Sequence, residues 1–356
     1  MRRVLFTGGG TAGHVIPAIP VMTRLLEEGV EISFVGSDSG LEEQLLADLR
    51  VEYHAIAAGK LRRYFSLRNI LDVFSVARGC LQAIALIRRE RPDVVFSKGG
   101  FVSFPVVLAA WLWRVPVVAH ESDLTPGLAN RLALPFITTL CVNFTHTQCQ
   151  RLSRRFKGEV LFTGTPVREA LTAGDAERGR RLLEFSGDKP LLVVTGGSLG
   201  ADIINQTVRD ALSELLVRCD VVHICGTGKT LDMSQSGYRQ FEYVADSWGD
   251  ILAAADLVIS RAGANTLYEL LLLHKPNLLI PLSAKVSRGD QVENARYAKS
   301  LGYSHVLEEE QLEPTTLVAA VAAMLDELPR LREKLEDFKP LDSVTLITDA
   351  IRKAAA

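Results

Sequence analysis

Long apolar runs are missing from this 356-residue chain. The longest, 101–113, is interrupted by Ser103 and Pro105 and stops at Arg114, well short of the roughly 20 residues a bilayer-spanning helix needs, so no membrane span is expected. The first strand candidate begins at residue 4, which leaves no space for the charged, apolar and small-residue regions of a signal peptide, and no export is expected. Cysteine is scarce. The five (Cys80, Cys141, Cys149, Cys219, Cys225) are odd in number and form no Cys-x-x-Cys pair, which argues against a disulfide framework and a zinc ribbon and reads as cytosolic thiols. Charge of one sign is lacking too: 40 Lys and Arg face 42 Asp and Glu, and a net charge of −2 argues against a nucleic-acid partner. With no Asp-x-Asp pair and no His-rich cluster to cage a metal, neither a metal nor another cofactor is expected. Gly228-Lys229-Thr230 has the ending of a P-loop, but His223 stands where the first glycine belongs, which disfavours a Walker site.

What is present is a chain with 47% hydrophobic and 23% charged residues, able to bury large cores and longer than one core usually organises. Short apolar runs at 4–6, 32–35, 94–96, 115–119, 191–194, 221–224, 257–259 and 278–280 alternate with amphipathic stretches of helical period, the pattern of an α/β protein with buried parallel strands. An internal repeat sets the architecture. DVVFSKGGFVSFPVVLAAW from Asp93 lies over DLVISRAGANTLYELLLLH from Asp256 without a gap, and VLFTGGGTAGHVIPAIPV is echoed by LLVVTGGSLGADIINQTV. Two Rossmann-like β/α/β halves facing a cleft follow, with the joint at Gly164-Thr165-Pro166. The expected domains are 1–163 and 164–340, with a terminal helix, 341–356, packing back on the first.

The glycine turns carry the first chemical signal. Gly8-x-Gly10-x-x-Gly13 satisfies the dinucleotide fingerprint formally, with Asp38 where a ribose-binding acid would stand, and a second such turn follows residue 195. Glycine lets backbone N–H groups and a helix N-terminus come close to an anion or a sugar. His14 directly follows the first turn, at the carboxyl end of a strand, and is a candidate for proton transfer. His120-Glu121 holds the same place after another strand, where proton transfer and a buried, hydrogen-bonded histidine are both open. In the second half, Ser260-Arg261-Ala262-Gly263 leads into a helix whose Glu269 suits the vicinal hydroxyls of a ribose, and Asp290-Gln291-x-x-Asn294 offers partners for sugar hydroxyls.

TGGGTAGHVIPAIPV, KGGFVSFPVVLAAW, HESDLTPGLAN, GTPVR, TGGSLGADIINQTV, SRAGANTLYE and GDQVENA, in that order over nearly the whole chain, resemble the MurG family of bacterial glycosyltransferases. The resemblance implies a GT-B fold and inverting transfer of N-acetylglucosamine from UDP-N-acetylglucosamine to undecaprenyl-diphospho-N-acetylmuramoyl pentapeptide (lipid I), giving lipid II for peptidoglycan. It implies a donor site in the C-terminal domain and a peripheral place on the cytoplasmic face of the membrane. By the same likeness, Thr11, Ala12 and Gly13 approach the donor sugar, Arg168 helps hold the nucleotide, Ser198 binds the diphosphate, and Tyr243-Val244 at a strand end presents backbone to uracil. Ala264, Asn265 and Thr266 flank phosphate and sugar, Glu269 takes the ribose diol and Gln291 meets the N-acetylglucosamine hydroxyls. A His-Glu-Gln-Asn run of the family is here His120-Glu121-Ser122-Asp123, so a sugar contact made there by asparagine falls to Asp123. A transferase using another lipid or glycoside acceptor, a dinucleotide-dependent dehydrogenase and a non-catalytic nucleotide-sugar module are the alternatives. The dehydrogenase leaves the second glycine turn and Glu269 without a use.

A lipid-linked acceptor also directs attention to 60–91, where eight basic residues and two acids concentrate a charge of +6 in a chain of net −2. Leu67, Ile70, Leu71 and Phe74 recur at helical spacing, with Phe65 just before them and Arg62, Arg63 and Arg68 alongside. The segment reads as a surface for anionic lipid or as a core-facing helix with a solvated basic side.

Overall fold

Alternate residues of each strand serve opposite faces of a buried sheet, which is why the strands read as nearly continuous apolar runs. In β1 (Arg3–Gly8), Val4 and Phe6 join the core on one face, with Phe34, Phe96, Met22 and Leu25, while Leu5 joins Val35, Val95 and Val106 on the other. The computed structural model describes residues 1–38, 41–59, 68–145, 156, 158–185, 188–197 and 199–356, with backbone alone for 68–73.

The chain divides into two units, Met1–Val167 with Leu341–Ala356, and Arg168–Pro340. In the first, β1, β2 (Glu31–Ser37), β3 (Glu52–Ile56), β4 (Val94–Gly99), β5 (Val117–Glu121), β6 (Thr139–Val142) and β7 (Glu159–Phe162) form one parallel sheet in the order β3-β2-β1-β4-β5-β6-β7. In the second, β8 (Leu191–Thr195), β9 (Asp220–Ile224), β10 (Tyr238–Phe241), β11 (Leu257–Ser260), β12 (Asn277–Leu279) and β13 (His305–Val306) form another, ordered β10-β9-β8-β11-β12-β13. Each is doubly wound, and its strand order reverses between β1 and β4 or between β8 and β11. Ligands of such sheets sit at the carboxyl ends of the strands flanking that reversal.

The eight expected strands are all present. Five more, β3, β6, β7, β10 and β13, were not legible: β3, β7, β10 and β13 are edge strands of mixed polarity, and β6 has only four residues. The run expected at 115–119 forms its strand two residues later, because Val115 N–H caps the preceding helix by bonding Ala110 O (2.9 Å). That shift brings His120 and Glu121 into β5. The join falls at Val167/Arg168 rather than at 163/164, since Thr163 and Gly164 N–H both bond Val142 O, at 3.0 and 3.2 Å, and stay with the first sheet. The terminal helix Ser343–Ala354 buries Ile347, Ala350 and Ile351 in the first unit's core, and its Arg352 pairs with Glu28 at 2.5 Å. Cys80, Cys141, Cys219 and Cys225 are free thiols, and Cys149 lies outside the described residues. No helix among the described residues is long and apolar enough to cross a membrane.

Candidate active site

In the first unit, β1 opens into the glycine turn. Gly10 has φ +87°, and a Cβ on Gly9 would stand 2.3 Å from the Glu42 carboxylate, so neither position admits a side chain without disruption. Glu42 is fully buried and accepts from Gly10 N–H at 2.8 Å and from the Ser37 hydroxyl at 2.9 and 3.0 Å, which pins the turn to the end of β2. Thr11 and Gly13 are exposed, Ala12 is half-buried, and the short 3-10 turn Ala12–His14 leaves His14 half-buried with Nδ1 3.0 Å from the Thr11 hydroxyl. A hydroxyl at that distance orients the imidazole.

The ends of β4 and β5 hold a buried charged cluster. His120 has no exposed surface; its Nε2 lies 2.8 Å from Gly164 O and its Nδ1 2.8 Å from Lys98 Nζ. A carbonyl can only accept, so Nε2 carries the proton and Nδ1 accepts from the ammonium. Burial first, and then the neighbouring Lys98 charge, hold the imidazole well below its usual range. His120 is therefore the hydrogen-bonded, neutral histidine, with both nitrogens committed inside the protein. Lys98 also donates to the Ser122 hydroxyl, and burial lowers its pKa to about 8 against the pull of Glu121, Asp123 and Cys141. Glu121 accepts from Asp123 N–H (3.0 Å), Gly127 N–H (3.2 Å) and the Asn130 amide (2.8 Å); burial, with Asp123 next, raises its pKa. Asp123 is half-buried on the turn after β5.

In the second unit, β8 leads into a glycine turn closed by Gly200 N–H to Gly197 O at 2.9 Å. A Cβ on Gly200 would stand 1.9 Å from Cys225 O, so this turn lies flat against the end of β9. Ser198 itself is outside the described residues. Lys229, of the P-loop-like run, pairs with Asp202 at 2.8 Å in the first turn of the next helix. From β11, Arg261 turns inward, pairing with Glu309 and donating to Ile280 O at 3.2 Å, and Gly263 caps the helix Ala264–Leu272. Ala264 is buried; Asn265 and Thr266 are half-buried in its first turn. Glu269 keeps some solvent contact and its carboxylate makes no hydrogen bond to a described residue, while desolvation raises its pKa to about 7 against the pull of Arg168. Arg168 is exposed, at the start of the short helix Glu169–Thr172.

Two expectations change. Tyr243 and Val244 lie beyond β10, which ends at Phe241, so they present loop backbone and not a strand end. Asn294 is wholly buried and donates to Ala262 O at 3.2 Å, so it braces the 261–263 turn instead of meeting a sugar. Gln291 is half-buried, with its side-chain oxygen taken by Leu282 N–H at 3.0 Å. Of the membrane candidates, Arg62, Arg63, Phe65 and Leu67 lie outside the described residues; Arg68, Ile70 and Leu71 stand in the helix Arg68–Glu90; Phe74 on that helix is 69% exposed. Glu42 and Lys98 were not singled out from sequence. Lys98 had a signal: in the internal repeat it lies over Arg261. Among the described residues one cluster has metal-ligand spacing, Glu52, His54 and Glu90, and it lies away from the first unit's glycine turn, since Glu52 begins β3 and Glu90 ends its helix.

Two doubly wound parallel sheets, each with a glycine turn at its point of reversal, define the GT-B class of glycosyltransferase. The solved structure of Acinetobacter baumannii MurG shares this fold with a TM-score of 0.78, at 24% identity over 99% of this chain and 100% of that one. Residues 4–142 match the glycosyltransferase family 28 N-terminal domain and 191–345 the family's C-terminal domain. Proteins of Clostridium kluyveri and Legionella pneumophila named UDP-N-acetylglucosamine--N-acetylmuramyl-(pentapeptide) pyrophosphoryl-undecaprenol N-acetylglucosamine transferase are each 47% identical over 99% of this chain, and 98% and 97% of theirs. The chain belongs to glycosyltransferase family 28.

Proposed function

We propose that the protein transfers N-acetylglucosamine from UDP-N-acetylglucosamine to the 4-hydroxyl of the muramoyl sugar of lipid I, with inversion at the anomeric carbon, forming lipid II. The observation that carries this reading is 47% identity sustained along 99% of the chain to relatives bearing that one transferase name. The acceptor hydroxyl attacks C1 of the donor sugar, His14 takes the proton, and UDP leaves. Thr11, Ala12 and Gly13 line the approach to the sugar and Asp123 contributes a contact to it. In the second unit, the N–H groups of the 197–200 turn, with Ser198, and of the helix start at Ala264, Asn265 and Thr266 meet the diphosphate, where positive backbone dipoles stabilise the leaving group. Arg168 and the backbone of Val244 hold the nucleotide, Glu269 accepts from the ribose diol, and Gln291 meets the sugar hydroxyls through its remaining amide protons. Turnover with UDP-N-acetylglucosamine against a panel of lipid-linked and soluble acceptors tests the reading. Transfer to lipid I with a β-linked product is expected; transfer only to some other lipid or glycoside would replace it with the alternative acceptor.

Because no Asp-x-Asp pair is available to hold a cation at the diphosphate, turnover is expected to survive EDTA at least in part. Complete loss restored by a divalent ion would assign the diphosphate charge to a metal.

The first unit also carries the surface that suits a peripheral membrane protein on the cytoplasmic face. On the helix Arg68–Glu90, Phe74 and Leu81 are about 70% exposed one heptad apart, with exposed Arg78 between them, and Arg88 stacks over the exposed ring of Trp113 at 5.9 Å. Large exposed apolar side chains among cations fit an anionic lipid headgroup layer. Each basic residue near such a surface contributes about 1 kcal/mol. Vesicle binding is expected to weaken with salt and with charge reversal at Arg62, Arg63 and Arg68; equal binding to neutral and anionic vesicles would remove the electrostatic part.

A further inference from the structure

Lys98 is buried, 3% exposed, and its ammonium bonds side chains of the adjoining strand and turn. It sits under the glycine turn: a Cβ placed on Gly8 would lie 3.2 Å from the Lys98 Cβ and 2.5 Å from His14 O. It also bridges to β5, bonding His120 Nδ1 at 2.8 Å and the Ser122 hydroxyl. The repeat gives an independent reason to regard this as a device. Arg261 occupies the equivalent place at the end of β11, and it too reaches the next strand, at Ile280 O, which corresponds to His120 because Val117 stands beside Val95 as Asn277 stands beside Val258. Each unit thus places a cation where its strand order reverses, Lys98 buried and Arg261 with its side chain 12% exposed.

We propose that Lys98 is a positioning residue for the transfer reaction, whose ammonium locks the 120–123 turn beneath the His14 turn and offsets the charges of Glu121 and Asp123. The proposal rests on the transferase reading for what the turn positions, though the charge coupling stands on its own. The groups facing Lys98 are His120 and Glu121 from β5, Ser122 and Asp123 from the turn that follows, and Cys141 from β6, with Gly8 of β1 against its Cβ. His120 is neutral and the thiol of Cys141 is pushed up to about 12, so the acids left to balance the ammonium are Asp123 and Glu121, whose carboxylate oxygens accept from three N–H groups. A buried cation with its pKa near 8 loses its charge as pH rises through that value, and the carboxylate pair then lacks its counter-charge.

Lys98→Met keeps the stem and removes the charge. It is expected to lower kcat by about tenfold or more with the affinity for UDP unchanged, because the nucleotide is held by the other unit, and to move the acid limb of the pH–rate profile upward as Glu121 and Asp123 lose the cation. Asp123→Asn, on a half-buried turn, keeps the fold and removes one counter-charge. It is expected to lower the pKa of Lys98, read as the ammonium resonance that disappears in Lys98→Met, by about half a unit or more, and to shift the alkaline limb to lower pH. A Lys98 that titrates with the surface lysines, an unmoved titration in Asp123→Asn, or wild-type kcat and pH profile in Lys98→Met would overturn the inference. Absence of lipid I turnover in the wild-type protein would strike the transferase reading instead, and the lysine titration would still judge the coupling.

Discussion

Replacing His14 by alanine is expected to cut turnover by about 10²-fold or more while leaving UDP affinity within about twofold of wild type. A general base contributes only as the proton moves, so its removal lowers kcat without touching ground-state binding of the donor nucleotide. The first unit holds a second histidine at a strand end, and the structure separates the two. His120 is fully buried, donates through Nε2 to Gly164 O, accepts at Nδ1 from Lys98 and is held neutral, so it has no nitrogen with which to take a substrate proton. His14 stands on an exposed turn with its ring oriented by Thr11. His120→Ala is therefore expected to cost stability, by opening a buried hydrogen-bond chain, in addition to activity. Unchanged turnover in His14→Ala would take His14 out of the mechanism.

Glu269→Ala is expected to weaken UDP binding by about 10- to 100-fold, the loss of a charge-assisted hydrogen bond of roughly 1.5–3 kcal/mol. Wild type should reject 2′-deoxy-UDP and the variant should not; equal binding of the two nucleotides by wild type would place the ribose elsewhere. The structure adds a pH dependence. Burial raises the free carboxyl to about 7, so near neutrality much of it is protonated, and a diol that donates to the carboxylate binds only after the proton leaves. Affinity for UDP-N-acetylglucosamine, whose diphosphate diester does not titrate there, should rise as pH increases through 7 and become flat in Glu269→Gln. The same shift acts on folding with its own sign. A carboxyl raised from its ordinary 4.5 to about 7 in the folded chain stabilises below the unfolded value and loses that contribution as pH rises through the folded one.

The positions of these groups were legible in the sequence to unequal degrees. The glycine turns, His14 and Glu269 could be placed because each lies within a few residues of a buried strand, and strand plus turn plus helix start is a local pattern. Glu42 could not: it is distant from residues 9–10 along the chain and reaches them only because β2 lies beside β1. Asn294 looked like a sugar ligand and proves to be a brace, because its helix is turned so that position 294 faces the 261–263 turn, a rotation that spacing alone does not specify. The state of His120 was open for the same reason. Its partners come from β4 and from residue 164, and neither is near it in sequence.

The central strands and their duplication can be read from the amino-acid sequence without a structure. Apolar period, glycine and proline placement and a gapless internal repeat are properties of neighbouring residues, so they specify two α/β halves and the loops that end their strands. Which charges are taken out of water, and what they face there, follows from packing between elements far apart in the chain. Lys98 and Glu269 are ordinary letters in the chain. They become a lysine near 8 and a glutamic acid near 7 because packing strips their solvent by more than their opposite charges offset, and desolvation depends on every element that closes around a group.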